Sequence, residues 1–305
     1  MADPFPSPYL HRPAALADAP AVHALVAACE RELLGRAETE LDRIAADLAL
    51  PGVDPALDTL LVHDTAGRLA GRAWVHGGRR SAVDVHPGHR GRGLGAALLD
   101  WAEARARRAG GERLSQTVPD GDRAAVELLR SRGYEPFVAQ WLLEIAMPAE
   151  PVVPGPPPPG VTLRSFRPGD ERAAYELTED AFDEWQARRK SYEEWARLSV
   201  GLDSFAPSLS PVAFADGQMV GAVLSLDAPD AREGYVERVA VRRDHRGRGL
   251  ARLLLREAFR ANYLRGHRSC TLWTHSEAGA LPLYQRLGMT VRRGCAVYGK
   301  ALGPG

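Results

Sequence analysis

The chain has 305 residues, room for two domains at the usual ~100–200 residues each. Hydrophobic residues make up 45% and charged residues 26%, and 39 Lys+Arg balance 39 Asp+Glu, so the formal net charge is zero. That balance excludes a general attraction for nucleic acid or for an acidic membrane surface, and no run approaches the ~20 apolar residues that span a bilayer.

The first ten residues carry Asp3, Pro4, Pro6 and Pro8 and no apolar core, so no signal peptide is expected, and the protein reads as soluble and cytoplasmic. Cys29, Cys270 and Cys295 are far apart and odd in number. Neither a disulfide framework nor a zinc site has that pattern, so they read as small apolar side chains in a reducing compartment, and no metal is expected.

In chain order, Arg12-Pro13 is the first landmark. A strand ending in Val83-Asp84-Val85 then runs into His86-Pro87-Gly88-His89-Arg90-Gly91-Arg92-Gly93-Leu94-Gly95. Leu94, Ala97, Leu98, Trp101 and Ala102 follow at helical spacing, and Leu129 to Gly133 reads Leu-x-x-x-Gly. Between Pro148 and Gly160 come Pro151, Pro154 and Pro156 to Pro159, which give an extended polyproline segment. It is either a docking site for a proline-binding module or a semi-rigid spacer; because it splits the chain into halves, the spacer is the preferred reading.

After it, Val161 to Phe166 reads as a strand, and Asp170 to Trp185 and Tyr192 to Leu198 as helices. Asp216-Gly217 between Val212–Ala215 and Met219–Leu226 predicts a hairpin. Tyr235 to Val241 alternates like a strand, and Leu250, Leu253, Leu254 and Ala258 mark a helix. Ser269 to Thr274 is the next strand, Gly279 to Leu287 a helix, and Thr290 to Lys300 the last strands.

The halves repeat. Arg246 lies 156 residues after Arg90; Arg167-Pro168 follows Arg12-Pro13 at 155, and Tyr284 to Gly288 follows Leu129 to Gly133 at 155. A repeat this long is a duplicated domain, not a solenoid. The expected organisation is an N-terminal domain over 1–147, a linker over 148–160 and a C-terminal domain over 161–305, each α/β or α+β with strands mixed among helices.

The most informative pattern is Arg-x-x-Gly-x-Gly/Ala between a strand and a helix. Glycines let backbone approach a ligand, and the unpaired N–H groups of a helix's first turn, with its dipole, suit a pyrophosphate. Arginine adds matching charge. A lone turn of this kind is also a plain tight turn or an RNA-binding Arg-Gly tract, but neither explains two copies in matching strand–turn–helix contexts. The dinucleotide and P-loop fingerprints are absent.

On these residues both halves resemble the GNAT N-acetyltransferase superfamily, whose Arg/Gln-x-x-Gly-x-Gly/Ala turn follows the fourth strand and holds the pyrophosphate of acetyl-coenzyme A. Gly279-Ala280-Leu281-Pro282-Leu283-Tyr284-Gln285-Arg286-Leu287-Gly288-Met289 resembles the family's second signature. The likeness covers nearly the whole chain, once per half. The tandem layout is similar to mycothiol synthase, although that enzyme's substrate-side sequence is not found around the second hairpin, so its substrate is not carried over.

The resemblance implies two tandem domains, each a mixed, mostly antiparallel sheet flanked by helices. It implies transfer of an acetyl group from acetyl-coenzyme A to a primary amine of a small molecule by direct attack in a ternary complex. The coenzyme-binding positions are Val239, Ala240, Val241, Arg246, Gly247, Arg248, Gly249, Leu250 and Ala251, with Val85, Arg90, Gly91, Gly93 and Gly95 in the first half.

Such a transfer needs an ammonium to lose a proton, an oxyanion to be stabilised and a leaving thiolate to be protonated. Glu237 is the favoured base, because strand alternation puts it on one face with Val239 and Val241, where the family often carries one. The alternative is a solvated Glu237 paired with Arg238 or Arg252. Tyr235, two residues earlier on that face, is a candidate relay, and His275 is the next candidate base, although a lone histidine is more often structural. Tyr284 matches the family tyrosine that approaches the coenzyme's sulfur and is the favoured acid; otherwise it is a core aromatic.

By the same offsets Glu237 corresponds to Ser81 and Tyr284 to Leu129, a poor base and no acid. Catalysis is therefore expected in the second half, with the first half binding coenzyme or only supporting the fold. Asp180, Asp183, Glu184 and Trp185 would suit a cationic acceptor, and equally suit a solvated helix. Two rivals remain. A non-catalytic acyl-coenzyme A sensor would lack base and acid. A nucleic-acid binder using His89–Arg92 and Arg242–Arg248 is disfavoured by zero net charge and the lack of interleaved aromatics.

Overall fold

A computed structural model describes residues 5–50, 52–151, 153–183, 188–228 and 232–303. The first half contains β1 (Leu10–Arg12), α1 (Ala19–Leu34), α2 (Leu41–Leu48), α3 (Pro55–Asp58), β2 (Thr59–His63), β3 (Leu69–His76), β4 (Arg80–Val85), α4 (Leu94–Arg108), β5 (Arg113–Pro119), α5 (Arg123–Ser131) and β6 (Glu135–Ala146). The second contains β7 (Val161–Ser165), α6 (Glu171–Phe182), α7 (Tyr192–Arg197), β8 (Pro211–Ala215), β9 (Gln218–Ala228), β10 (Glu233–Val241), α8 (Leu250–Arg265), β11 (Ser269–His275), α9 (Leu281–Gln285) and β12 (Thr290–Ala301).

The compact units are not cut at the proline-rich segment. The first unit holds the chain up to Ala139 and takes back Cys295 onward; the second runs Gln140–Gly294. In the first, the strand order is β1-β2-β3-β4-β5-β12, antiparallel throughout except β4–β5. In the second it is β6-β11-β10-β9-β8-β7, antiparallel except β10–β11. The last strand of each half thus completes the other unit. Cys295–Ala301 pairs with β5, and Gln140–Ala146 pairs with β11. The packing follows. Tyr298 is buried with Leu99, Val118 and Leu129 in the first unit, and Leu143 is buried with Leu254, Val236 and Leu272 in the second. Residues 148–151 and 153–160 carry neither helix nor strand and fall within the second unit.

Helices cover both faces of each sheet. In the second unit, Leu250, Leu253, Leu254 and Ala258 of α8 bury against Val236 and Leu272, as their spacing predicts. On the other face Leu177 of α6 and Trp195 of α7 bury against Val212, Leu224 and Ala240. Each such side chain contributes roughly 1.5–3 kcal/mol of burial. In the first unit, Leu94, Ala97 and Leu98 of α4 pack on Val62 and Ala73, and Val22 and Val26 of α1 pack on Leu61.

Local signals fare well where turn chemistry is explicit. Asp216 (φ 49°) and Gly217 (φ 74°) make the β8–β9 turn with positive φ at both positions, as a two-residue hairpin wants. The helix expected over Gly279–Leu287 shortens to α9, because Gly279 sits at φ 61° and Pro282 occupies its first turn. Helix α6 ends at Phe182, and Glu184 and Trp185 lie outside the described residues.

Candidate active site

The parallel strands of the second unit part in mid-sheet. β10 and β11 pair from Glu233↔Ser269 to Val236↔Leu272, and there the register ends although β10 runs on to Val241 and β11 to His275. Beyond Val236 the two parallel strands share no register pairs. In the first unit β4 and β5 pair only at Arg80↔Ser115 and Ser81↔Gln116 before separating.

At the parting, β10 carries a bulge. Against β9, Val236 faces Ser225 and Arg238 faces Leu224, so Glu237 is the extra residue. This corrects the simple alternation expected over Glu237, Val239 and Val241. It is Val236 that shares the α8-side cluster with Val239 and Val241, while Ala240 packs on the α6/α7 side. It also corrects the correspondence with the first unit. β4 pairs with β3 without a register shift, and Ser81 is joined to Gln116 as Val236 is to Leu272. Ser81 therefore matches Val236, and Glu237 has no counterpart. The repeat offset is 155 residues from Ser81 to Val236 and 156 from Val85 to Val241; the bulge is that one-residue difference. Glu237, Tyr235 and His275 are each half-buried.

The glycine turn leads from β10 into α8. Gly247 and Gly249 sit at φ 76° and 79°, and a Cβ at either would meet nothing within 4 Å, so the turn is an open concave backbone. Gly249 is the N-cap of α8, no side chain caps the helix and no acidic residue lies in its first turn. The first-turn N–H groups of Leu250 and Ala251 thus lack internal partners. Helices α5 and α7, by contrast, are capped by Asp122 and Ser191. Arg246 Nε donates to the Val241 carbonyl at 3.2 Å, fixing the arginine beside the turn. Just before it, Arg242 donates to both carboxylate oxygens of Asp244 at 2.7 and 2.9 Å and, with His245, holds that carboxyl well below the usual range. Arg248 and Ala251 flank the open backbone in sequence. An anionic diphosphate fits these donors and this charge.

Tyr284 of α9 is buried in the same cluster as Leu250, the first residue of α8, and Val239 and Val241 of β10. Burial alone pushes its hydroxyl up to about 12, so it carries its proton at neutral pH.

The first unit keeps the turn in altered surroundings. Gly91 and Gly93 have φ 73° and 82°, Gly93 N-caps α4 without a side-chain cap, and Arg90 Nε donates to the Val85 carbonyl at 3.4 Å. Here, however, Glu32 of α1 is ion-paired with Arg90, and Cys29 Sγ donates to the same Val85 carbonyl at 3.3 Å. Burial pushes the Cys29 thiol up to about 12, so it stays a donor. Gly95 faces Leu128 and Val85. Ser81 is buried and donates towards Ser115, and Leu129 is sealed in the core. Sequence reading missed Glu32 because nothing local ties α1 to the turn.

On the opposite side of the second sheet a cavity of about 700 Å³ is lined by Glu176, Asp180 and Asp183, by the hairpin at Gly217, and by Val241 and Arg242. It brings two of the expected acceptor carboxylates beside the hairpin, although Asp180 is ion-paired with Arg189. Another cavity, about 470 Å³, lies by Arg260 and Arg265 at the far end of α8 and contains none of the expected site residues. Among the described residues no helix is long and apolar enough to cross a membrane.

Parallel strands that part in mid-sheet, a bulge at the parting and an uncapped glycine turn characterise the second unit. The sequence matches the model of the acetyltransferase (GNAT) family twice, over residues 5–134 and 172–289, and the chain belongs to that family. A mycothiol acetyltransferase of Cellulomonas flavigena is 32% identical over 269 residues, covering 80% of this chain and 76% of the relative. The crystal structure of a GCN5-related N-acetyltransferase from Sphaerobacter thermophilus superposes with a TM-score of 0.77 at 31% identity, covering 99% of this chain and 98% of that one. A tandem GNAT protein from the clavulanic acid biosynthesis pathway gives a TM-score of 0.76 at 20% identity over 97% and 99% of the two chains, a likeness of fold.

Proposed function

We propose that the protein transfers the acetyl group of acetyl-coenzyme A to a primary amine of a small molecule, by direct attack within a ternary complex, and that the second unit performs the chemistry. The observation that carries this reading is the asymmetry of the two units: the second packs Tyr284 in one cluster with the end of β10 and the first residue of α8, whereas the first has Leu129 at that place in the repeat and its turn arginine, Arg90, ion-paired with Glu32.

In this reading the pyrophosphate lies on the N–H groups from Gly247 to Ala251, beside Arg246, with Arg248 adding charge. The pantetheine follows the free edge of Val239, Ala240 and Val241, whose backbone N–H groups also stabilise the oxyanion. Glu237 takes a proton from the ammonium, directly or through water. The freed amine nitrogen attacks the thioester carbon, the C–S bond breaks, and Tyr284 gives its proton to the leaving thiolate. The cavity beside the hairpin receives the rest of the acceptor.

The test is titration of the protein with acetyl-coenzyme A by calorimetry, with thiol release across an amine panel. Gly249→Val, which places a branched side chain in the open turn at positive φ, abolishes binding to the second unit. Glu237→Gln and Tyr284→Phe bind the coenzyme and each turn over about 100-fold slower or worse. Wild-type rates in both variants would sink the catalytic assignment. Absence of binding by the wild-type protein would sink the acyltransferase reading itself.

A further inference from the structure

Arg238, beside the site, combines a buried and unbonded Nε with the lack of a paired carboxylate among the described residues. Arg238 follows the bulged Glu237, and its guanidinium lies over the ring of Phe182 at 5.9 Å, so it stands on the α6/α7 side of β10. Its neighbours Val236 and Val239 face the other way, into the α8-side cluster. The Nε of Arg238 is sealed from solvent and bonds to nothing, and among the described residues no carboxylate pairs with it. Several other arginines of this unit are matched to carboxylates. Arg164 pairs with Asp170, Arg188 with Glu194, Arg189 with Asp180, and Arg292 with Glu233.

A guanidinium cannot shed its proton, so a half-buried one with no counter-charge carries an unrelieved desolvation cost. Neutral packing would serve the fold better at that position. A bound anion removes the cost, and the planar fork of arginine matches a carboxylate. The side chain is also on the correct side. The cavity assigned above to the acceptor lies on the α6/α7 side of the sheet, the side on which Arg238 stands one residue from the candidate base.

Resting on the acetyltransferase reading above, we infer that the acceptor is an amine that also bears a carboxylate, and that Arg238 holds that carboxylate while Glu237 receives the proton of the amine. One guanidinium matches a monoanion, which favours a carboxylate over a phosphate dianion. Base and anion holder are adjacent residues, so both groups of the acceptor belong to one small molecule.

The experiment compares glycine, β-alanine, γ-aminobutyrate and a set of α-amino acids with their carboxamides as acceptors. Thiol release from acetyl-coenzyme A is followed for wild type, Arg238→Gln and Arg238→Lys, and each protein is titrated with acetyl-coenzyme A as a check on folding. Dividing the acid-to-amide ratio of kcat/KM in wild type by that in a variant cancels the intrinsic reactivity of each amine. The expected result is a ratio that falls about tenfold or more in Arg238→Gln, through the KM of the acid, on the scale of one charge-assisted hydrogen bond. Arg238→Lys recovers part of it. An unchanged ratio, or no acid acetylated by a wild-type protein that binds the coenzyme, overturns the inference. Failure to bind acetyl-coenzyme A at all is the separate failure of the parent reading.

Discussion

Glu32 of α1 is ion-paired with Arg90, the arginine of the first unit's glycine turn, whereas Arg246 at the corresponding place in the second unit bonds to its own strand at Val241. A carboxylate already on the arginine competes with a phosphate for it. The pair is partly exposed, so its worth is about 0.2–1 kcal/mol. In a Gly249→Val background, where the second turn is blocked, acetyl-coenzyme A is expected to bind weakly or not at all. Adding Glu32→Gln then strengthens binding about two- to fivefold, read by calorimetry. A tight residual site indifferent to Glu32→Gln would show that the ion pair does not govern the first turn.

Tyr284 predicts a specific alkaline weakness. An unfolded tyrosine loses its proton near 10.0, and burial pushes the folded one to about 12. The folded state therefore holds the proton more tightly. This contribution is complete below pH 10 and is lost as pH rises through 12, about 2–3 kcal/mol in all. Tyr134, buried in the first unit, is shifted in the same direction, by burial first and then by Glu103. Urea melts at pH 8 and pH 11 should show wild type losing about 1 kcal/mol more than Tyr284→Phe between the two. Equal losses would mean that the folded hydroxyl is solvated.

Features that rest on a few consecutive residues are legible in the sequence alone. The glycine turns, the Asp216-Gly217 hairpin and the buried stripes of α4 and α8 are local patterns, and the structure has them. The bulge is half-visible: the sequence carries the change of offset from 155 to 156, but alternation alone gives no reason to place the extra residue at Glu237. Strand exchange is invisible, because a strand's sequence names its faces and not its partner, and β6 and β12 fit either sheet. The unmatched state of Arg238 becomes apparent only in space, where its Nε is buried and bonds to nothing. The ion pair of Glu32 with Arg90 likewise joins residues far apart in sequence.

The strand exchange has a direct consequence for truncation. A chain ending at Gly294 keeps all of the second unit and removes from the first unit the strand paired with β5. It also removes the buried Tyr298 and Leu302, and Lys300, whose Nζ donates to both oxygens of the buried Glu103 at 2.8 Å. Two such side chains are worth roughly 3–6 kcal/mol of burial before the lost Lys300–Glu103 pair is counted, which leaves Glu103 with Arg107. Hydrogen exchange should show β5 and α4 losing protection while β10 and α8 keep theirs. Loss confined to the second unit would mean that β12 stabilises the half it is encoded in.

The packing of α8 on β10 leaves no room for a side chain at Gly234. A Cβ there would fall 1.6 Å from Oδ1 of Asn262 on α8, a fully buried side chain. Asn262 has no freedom to move aside. Its Nδ2 donates to the Ala258 carbonyl at 2.8 Å, and its Oδ1 lies 2.7 Å from His267 Nδ1. The Nε2 of that imidazole lies 2.9 Å from Asp227 Oδ1, and Arg265 donates to Asp227 Oδ2 at 3.1 Å. Gly234→Ala must therefore displace α8 or break this buried chain, at a cost of about 3 kcal/mol from overpacking and a lost hydrogen bond together. At about 2–4 °C per kcal/mol, Tm is expected to fall by roughly 6–12 °C. Asn262→Ala in the same protein makes room for the new methyl but strips His267 of a partner, so the double variant should melt above Gly234→Ala and below wild type. A Gly234→Ala protein that melts with wild type would mean that β10 and α8 are free to separate at this point.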